Sequence, residues 1–232
     1  MIARIVSRIT IPCFVLALAS PSLAYAQQKP KPKPVPARQQ PRPRSVSIGG
    51  YAMLGMFSFT AHDTFDAILG QSSGPIFGGG ARIGIPYGGL FADIGAWRYQ
   101  DDGERVFVEN NVVYPLNIAT EVSVTPIELS AGWQFRIRTM PKLLPYVGGG
   151  LTLMNYSEKS DFATDAENVD ETFTGYHLFG GAEYKLTKWL GVAGEASWTT
   201  VPDAIGGAGV SQSFNEDNLG GASFRFKITI GR

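Results

Sequence analysis

The most regular stretch of this chain is Ile127 to Arg138, where apolar and polar residues alternate without a break. Ile127, Leu129, Ala131, Trp133, Phe135 and Ile137 fall on one face, and Glu128, Ser130, Gly132, Gln134, Arg136 and Arg138 on the other. A period of two belongs to a pleated strand, because a helix brings every third or fourth residue to one side. The end of the chain repeats it, with Ala222, Phe224, Phe226, Ile228 and Ile230 set against Ser223, Arg225, Lys227 and Thr229. Leu190 to Thr199 sets Leu190, Val192, Ala196 and Trp198 against Ala193, Glu195, Ser197 and Thr199. Before it, Tyr176, Leu178, Ala182, Tyr184 and Leu186 oppose His177, Glu183 and Lys185. Weaker strands are predicted at Ser47 to Thr60, Ile76 to Ile85, Leu90 to Tyr99 and Pro145 to Tyr156, making eight. Arg82 and Asp93 take the polar sides of the second and third, while the faces of the first are not declared by pattern. The fourth changes phase at Pro126, since Val122 and Val124 are out of step with Ile127, which predicts a bulge near a sheet rim.

The connections alternate in length. Short turns are expected at Pro86-Tyr87-Gly88, Thr139 to Lys142 and Thr187-Lys188; long ones at His62 to Gly74, Gln100 to Ala119, Ser157 to Glu171 and Pro202 to Asn218. Short turns at one end and long loops at the other are the layout of an up-and-down membrane barrel, and a soluble sandwich has no reason to sort its loops this way.

Two segments precede the strands. Arg4 and Arg8, the short apolar run Ile9 to Ala19 and Ala24-Tyr25-Ala26 read as a signal peptide over 1–26, with the mature chain starting at Gln27. That run is too short to span a bilayer as a helix, and no later segment is an apolar run of helix length. The only cysteine, Cys13, lies in the signal. The mature chain therefore has no disulfide, thiol nucleophile or cysteine metal ligand. Residues 27–44 contain QKPKPKPVPARQQPRPR, a basic proline-rich tail expected to be extended rather than helical. It reads as a solvated periplasmic spacer or as a contact for an anionic envelope partner, lipid head groups or cell wall.

Alternation alone does not say whether the apolar face turns inward or outward. Three features favour lipid outside. The polar face mixes acids and bases able to pair in a closed lumen, namely Arg82, Asp93, Glu128, Arg136, Glu183, Lys185, Glu195, Arg225 and Lys227, beside the small residues Gly84, Gly95, Ser130 and Gly132. Strand eight pairs with strand seven by sequence and with strand one by closure, which puts Arg225 or Lys227 within reach of Glu195. Aromatics gather near strand ends, with Tyr87, Tyr184 and Trp189 at short turns and Tyr176 and Trp198 toward the long loops, as interfacial girdles do. An export signal with no later cysteine suits the same class.

The chain resembles the small eight-stranded outer-membrane barrels of the OmpA/OmpW type. The resemblance is carried by Pro145-Tyr146-Val147-Gly148-Gly149-Gly150-Leu151, by the final strand Phe224-Arg225-Phe226-Lys227-Ile228, and by the glycine-rich Gly78-Gly79-Gly80 and Gly180-Gly181-Ala182. It covers Ser45 to Arg232 and implies an all-β, eight-stranded antiparallel up-and-down transmembrane β-barrel in the outer membrane. It also implies outer-membrane lipid and the β-barrel assembly machinery as partners. Barrels of this kind usually end in an aromatic residue read by that machinery, whereas this chain ends Ile230-Gly231-Arg232. Either the signal differs here or Phe226 serves in its place.

Little in the residues points to chemistry. His62 lies in the first loop and His177 on a polar face, neither in a nucleophile motif, and no GxSxG, HExxH or P-loop pattern occurs. No cofactor, metal, catalytic residue or nucleic-acid partner is expected. The long loops are acidic, through Asp63, Asp66, Asp101, Asp102, Glu104, Glu109, Glu158, Asp161, Asp165, Glu167, Asp170, Glu171, Asp203, Glu216 and Asp217. That reads as solubility at an exposed rim, with divalent-cation capture as the sharper alternative, although Asp161 to Glu171 lacks EF-hand spacing. The expected function is a non-enzymatic structural or surface-binding barrel with its lumen plugged by charge. The alternative is narrow transport of a small solute or hydrophobic compound, implied by OmpW-like relatives.

Overall fold

The structure is a computed structural model and describes residues 46–86, 88–110, 112–160, 169–207 and 209–231. The signal peptide, the basic tail, Tyr87 and the acidic residues Asp161, Asp165 and Glu167 lie outside the described residues. Eight strands run in chain order: β1 Ser47–Phe59, β2 Ser73–Gly84, β3 Leu90–Glu109, β4 Val112–Gln134, β5 Leu143–Ser160, β6 Val169–Lys185, β7 Leu190–Thr200 and β8 Gly221–Gly231. Each pairs antiparallel with the next, and β8 pairs with β1, from Gly49↔Gly231 to Phe59↔Gly221, to close the barrel. Over the height that all eight strands share, closure leaves no open sheet edge among the described residues, as hydrocarbon requires.

The side-chain period decides what each face meets. On β6, Leu178 is 70% exposed while its neighbours His177 and Phe179 are buried; on β8, Phe224 is 66% exposed between buried Ser223 and Arg225. The outward apolar band continues round the wall through Leu54, Ile94, Leu129 and Leu151. An apolar surface this continuous is not stable in water, whereas lipid tails solvate it. The undeclared first strand faces the lumen with Met53, Phe57 and Phe59 and the outside with Ile48, Leu54 and Met56. Among the described residues no helix is long and apolar enough to cross a membrane.

Three expectations are corrected. Pro126 makes no bulge, because Ala96↔Ile127 and Tyr99↔Val124 share one register across it. Val122 and Val124 are fully buried on the same inward side as Glu128, so the apparent change of phase is a change of lining from polar to apolar. The register shift in this hairpin lies instead between Glu104 and Val106. Second, 100–119 is mostly strand: β3 has 20 residues and β4 has 23, about twice the 9–11 that span a bilayer. The hairpin therefore stands well clear of the apolar band and ends in exposed Phe107, Val112, Val113 and Tyr114. Third, β4 stops at Gln134 and β6 at Lys185, which leaves Arg136 and Lys185 exposed at the short-turn rim instead of inside the lumen. Two short helices, α1 His62–Leu69 and α2 Gly209–Phe214, occupy the first and last long connections.

Phe226→Arg should cost about 2–4 kcal/mol near mid-membrane, because it drives a charge into hydrocarbon. Urea titration of the barrel refolded in vesicles measures it, and an unchanged midpoint would mean that the outward face does not meet lipid. A cysteine at Glu109 should label with an impermeant maleimide on intact cells and one at Thr187 should not. The opposite pattern would invert the barrel.

Candidate functional site

At mid-height all eight strands send a polar side chain into the lumen. Arg225 on β8 reaches across to β4, where its Nη1 and Nη2 donate to Glu128 Oε2 and Oε1, each at 2.7 Å. Trp97 Nε1 on β3 donates to the same carboxylate at 2.8 Å, and Arg225 Nε donates to Ser223 Oγ at 2.9 Å. Lys227 Nζ donates to Glu195 Oε2 on β7 at 2.6 Å, with Arg225 Nη1 3.6 Å from Glu195 Oε1. Arg225 is 1% exposed and Glu195 2%. Charges this deep are tolerable only when paired and fully hydrogen-bonded.

A second group sits beside the first. Arg82 on β2 lies opposite Asp93 on β3 in the register, and Arg82 Nε donates to Asp93 Oδ2 at 2.9 Å. The Tyr51 hydroxyl on β1 donates to Asp93 Oδ1 at 2.7 Å, and the Tyr146 hydroxyl on β5 donates to Glu195 Oε2 at 3.1 Å. The tyrosine rings complete the lining: the Arg82 guanidinium lies 4.7 Å from the Tyr146 ring centre and Lys227 Nζ 4.5 Å from that of Tyr51. Three cations (Arg82, Arg225, Lys227) face three carboxylates (Asp93, Glu128, Glu195), so the layer is formally neutral. His177 on β6 bridges two hydroxyls, with Nε2 2.8 Å from Ser130 Oγ and Nδ1 2.8 Å from Thr152 Oγ1.

Glycines make the layer possible. A Cβ on Gly80 would stand 2.5 Å from the Tyr51 hydroxyl oxygen, and one on Gly95 2.6 Å from it. Tyr51 lies across the two neighbouring strands because both lack side chains there. Gly181 does the same for Tyr146, whose ring a Cβ would approach to 2.9 Å.

Of the nine residues singled out by sequence, six form this layer. Glu183 also faces inward, nearer the short turns, where it accepts from Gln134 Nε2 at 3.3 Å and Thr229 Oγ1 at 3.2 Å. Arg136 and Lys185 do not join it. Sequence reading missed the two groups that extend the filling. Toward the long loops Phe57, Trp97, Tyr99, Val122, Val124, Met154 and Leu219 form one buried apolar cluster, and Phe65 of α1 stacks on Phe59 at 3.7 Å. Toward the short turns Phe91, Tyr146, Phe179 and Ala193 form another. The signal was present in Val122 and Val124, whose odd phase is that of inward residues.

Glu216, grouped with the acidic loops by sequence, has a structural place. It accepts from the backbone amides of Asp63 at 3.2 Å and Thr64 at 2.9 Å, capping α1, whose own N-cap residue, Ala61, supplies no side-chain bond. The first and last long connections are thereby tied together. His62 contacts Ser72 Oγ at 3.0 Å in an exposed position. Among the described residues no three His, Cys, Asp or Glu side chains are grouped to hold a metal ion.

Residues 14–227 match the family described as outer membrane protein beta-barrel domain. A comparison of the sequence with curated proteins finds no match. Among solved structures, Neisserial surface protein A is similar at 14% identity, covering 80% of this chain and 96% of that one with a TM-score of 0.50. A major outer membrane protein of Thermus thermophilus is similar at 10% identity, covering 81% and 100%, also with a TM-score of 0.50. At these identities the likeness is one of fold.

Arg225→Ala should cost about 3–5 kcal/mol, because it leaves Glu128 buried without its partner. The double variant Arg225→Ala with Glu128→Gln should recover part of that loss. Equal midpoints for wild type and Arg225→Ala in urea unfolding would refute the coupling.

Proposed function

This chain belongs to the outer membrane protein beta-barrel domain family, and from that premise we propose a non-enzymatic, non-conducting barrel that works through what it presents outside the membrane. The carrying observation is the continuity of the filling. The apolar cluster around Phe57 and Trp97, the ion-paired layer around Arg225 and the cluster around Phe91 and Tyr146 follow one another along the lumen. An eight-stranded barrel encloses little more than its own side chains need. A solute entering this one would have to separate buried ion pairs, which costs several kcal/mol per exposed partner. Charge pairing in the layer is then what plugs the lumen.

The outer end supports the surface-binding half of the reading. The β3–β4 hairpin projects past the band that lipid covers, and Phe107 with Tyr114 on one face and Val108 with Val113 on the other are paired in its register. Apolar side chains on both faces of a protruding ribbon suit contact with another macromolecule better than solvation alone. The acidic residues near the hairpin base, Asp101, Asp102 and Glu104, keep the rim around it soluble. The six cations of the preceding tail, Lys29, Lys31, Lys33, Arg38, Arg42 and Arg44, give the chain a separate means of holding an anionic envelope partner.

In planar bilayers the wild-type chain should show no steady single-channel current. Arg225→Ala combined with Lys227→Ala should raise leakage at matched protein density while lowering stability. Large, steady wild-type conductance would overturn the plug and put solute transport in its place.

A further inference from the structure

Five of the cations that lie outside the lumen form a surface of their own. Arg136, Arg138 and Lys142 lie in the β4–β5 turn and Lys185 and Lys188 at the β6–β7 turn, all exposed. The two turns are neighbours around the rim, and the backbone amide of Lys185 donates to the carbonyl of Lys142 at 2.9 Å. Residues 135–143 and 185–190 contain no acid, and none of the five cations makes an ion pair among the described residues. The remaining short turn, 85–90, carries no charge at all. Among the short turns, the positive charge therefore lies on these two neighbours alone.

We infer that this sector docks anionic phospholipid headgroups of the membrane leaflet at the short-turn end. Depth is the first argument. Trp133, Phe135, Tyr184 and Trp189 are exposed outward on the same sector, next to the two turns. Indole and phenol rings settle at headgroup level, so cations a residue or a few beyond them lie among the phosphates. Reach is the second argument. Turns this short hold their side chains close to the wall and do not project toward a partner deeper in the periplasm. Chemistry is the third: the arginines offer paired donors to phosphate oxygens, and the lysines add point charge on flexible stems. Short turns face the periplasm in barrels of this layout, and the headgroups of that leaflet are the occupant.

The test uses the whole chain refolded in phosphatidylcholine vesicles that carry a fixed fraction of brominated lipid. A Trp198→Phe background leaves Trp133 and Trp189 as the lipid-facing reporters. Brominated phosphatidylglycerol should quench at least about twofold more than brominated phosphatidylcholine at low salt, and the excess should vanish in 1 M salt, where the screening length is about 3 Å. Replacing the five cations with glutamine should abolish the excess, and exchanging the three lysines for arginine should keep it. Equal quenching by the two lipids, or an excess that survives neutralisation, overturns the inference. So does charge-dependent binding to purified murein sacculi without lipid preference, which would assign the sector to the wall polymer. If the neutralised variant folds poorly, Arg136→Gln with Arg138→Gln and Lys185→Gln with Lys188→Gln are read separately; each pair should lower the excess, and an excess unchanged in both overturns the inference. A barrel that conducts yet prefers phosphatidylglycerol would refute the closed lumen and leave this surface standing.

Discussion

Arg225 spans the lumen from β8 to β4 and grips Glu128 through both terminal nitrogens, and most of the interior is arranged around that contact. A guanidinium buried this deeply needs its charge matched and its donors occupied. Glu128 supplies the charge, Ser223 takes the remaining Nε donor, and Trp97 fixes the carboxylate from above. Glu195 lies near enough to share the cation and binds Lys227 in turn. Each group added to satisfy one charge brings another that needs satisfying, until three cations and three carboxylates balance. The glycines at 80, 95 and 181 belong to the same constraint, since without them Tyr51 and Tyr146 could not lie across the wall to reach Asp93 and Glu195.

The barrel is lopsided in height. β1, β2, β7 and β8 have 11–13 residues, close to the length of a crossing, whereas β3 to β6 have 17–23. The tall side raises the hairpin that ends at Glu109 and Val112. The low side is covered by α1 and α2, joined through Glu216 to the α1 amides. Lumen and loops are thus one packed unit: Phe65 comes from a loop helix yet stacks on Phe59 inside the barrel. A change to α1 is therefore a change to the lumen filling as well.

Opposite ends of the molecule carry opposite charge. The far ends of β3 to β6 and the connections at that end hold most of the acids outside the lumen, while the charged short turns hold cations alone. Placement of Arg136 and Lys185 at the rim, outside the lumen, is what completes the second half of that contrast. In the proposed reading the acidic end stays soluble around an apolar hairpin, and the basic end is held by the lipid beneath it.

Strand number, antiparallel order and the outward apolar band were legible in the sequence. Each follows from local information, because a period of two is a property of neighbouring residues and a turn is a property of a few. The pairing Arg82–Asp93 was legible too, since adjacent strands place the two side by side, and so was the reach of Arg225 or Lys227 to Glu195, though not which of them would hold it more closely. What the chain alone did not yield was any contact across the lumen. Arg225 meets Glu128 four strands away only because closure brings β4 to face β8, and no local pattern encodes that distance. Strand ends were decided the same way: Arg136 and Lys185 continue the alternation of the lumen face, but the ladders stop before them and leave them in the open. Val122 and Val124 resemble a fault in the pattern only if the lining is polar throughout. The folded barrel alone, with α1 and the tall strands packed together, makes its outer half an apolar core.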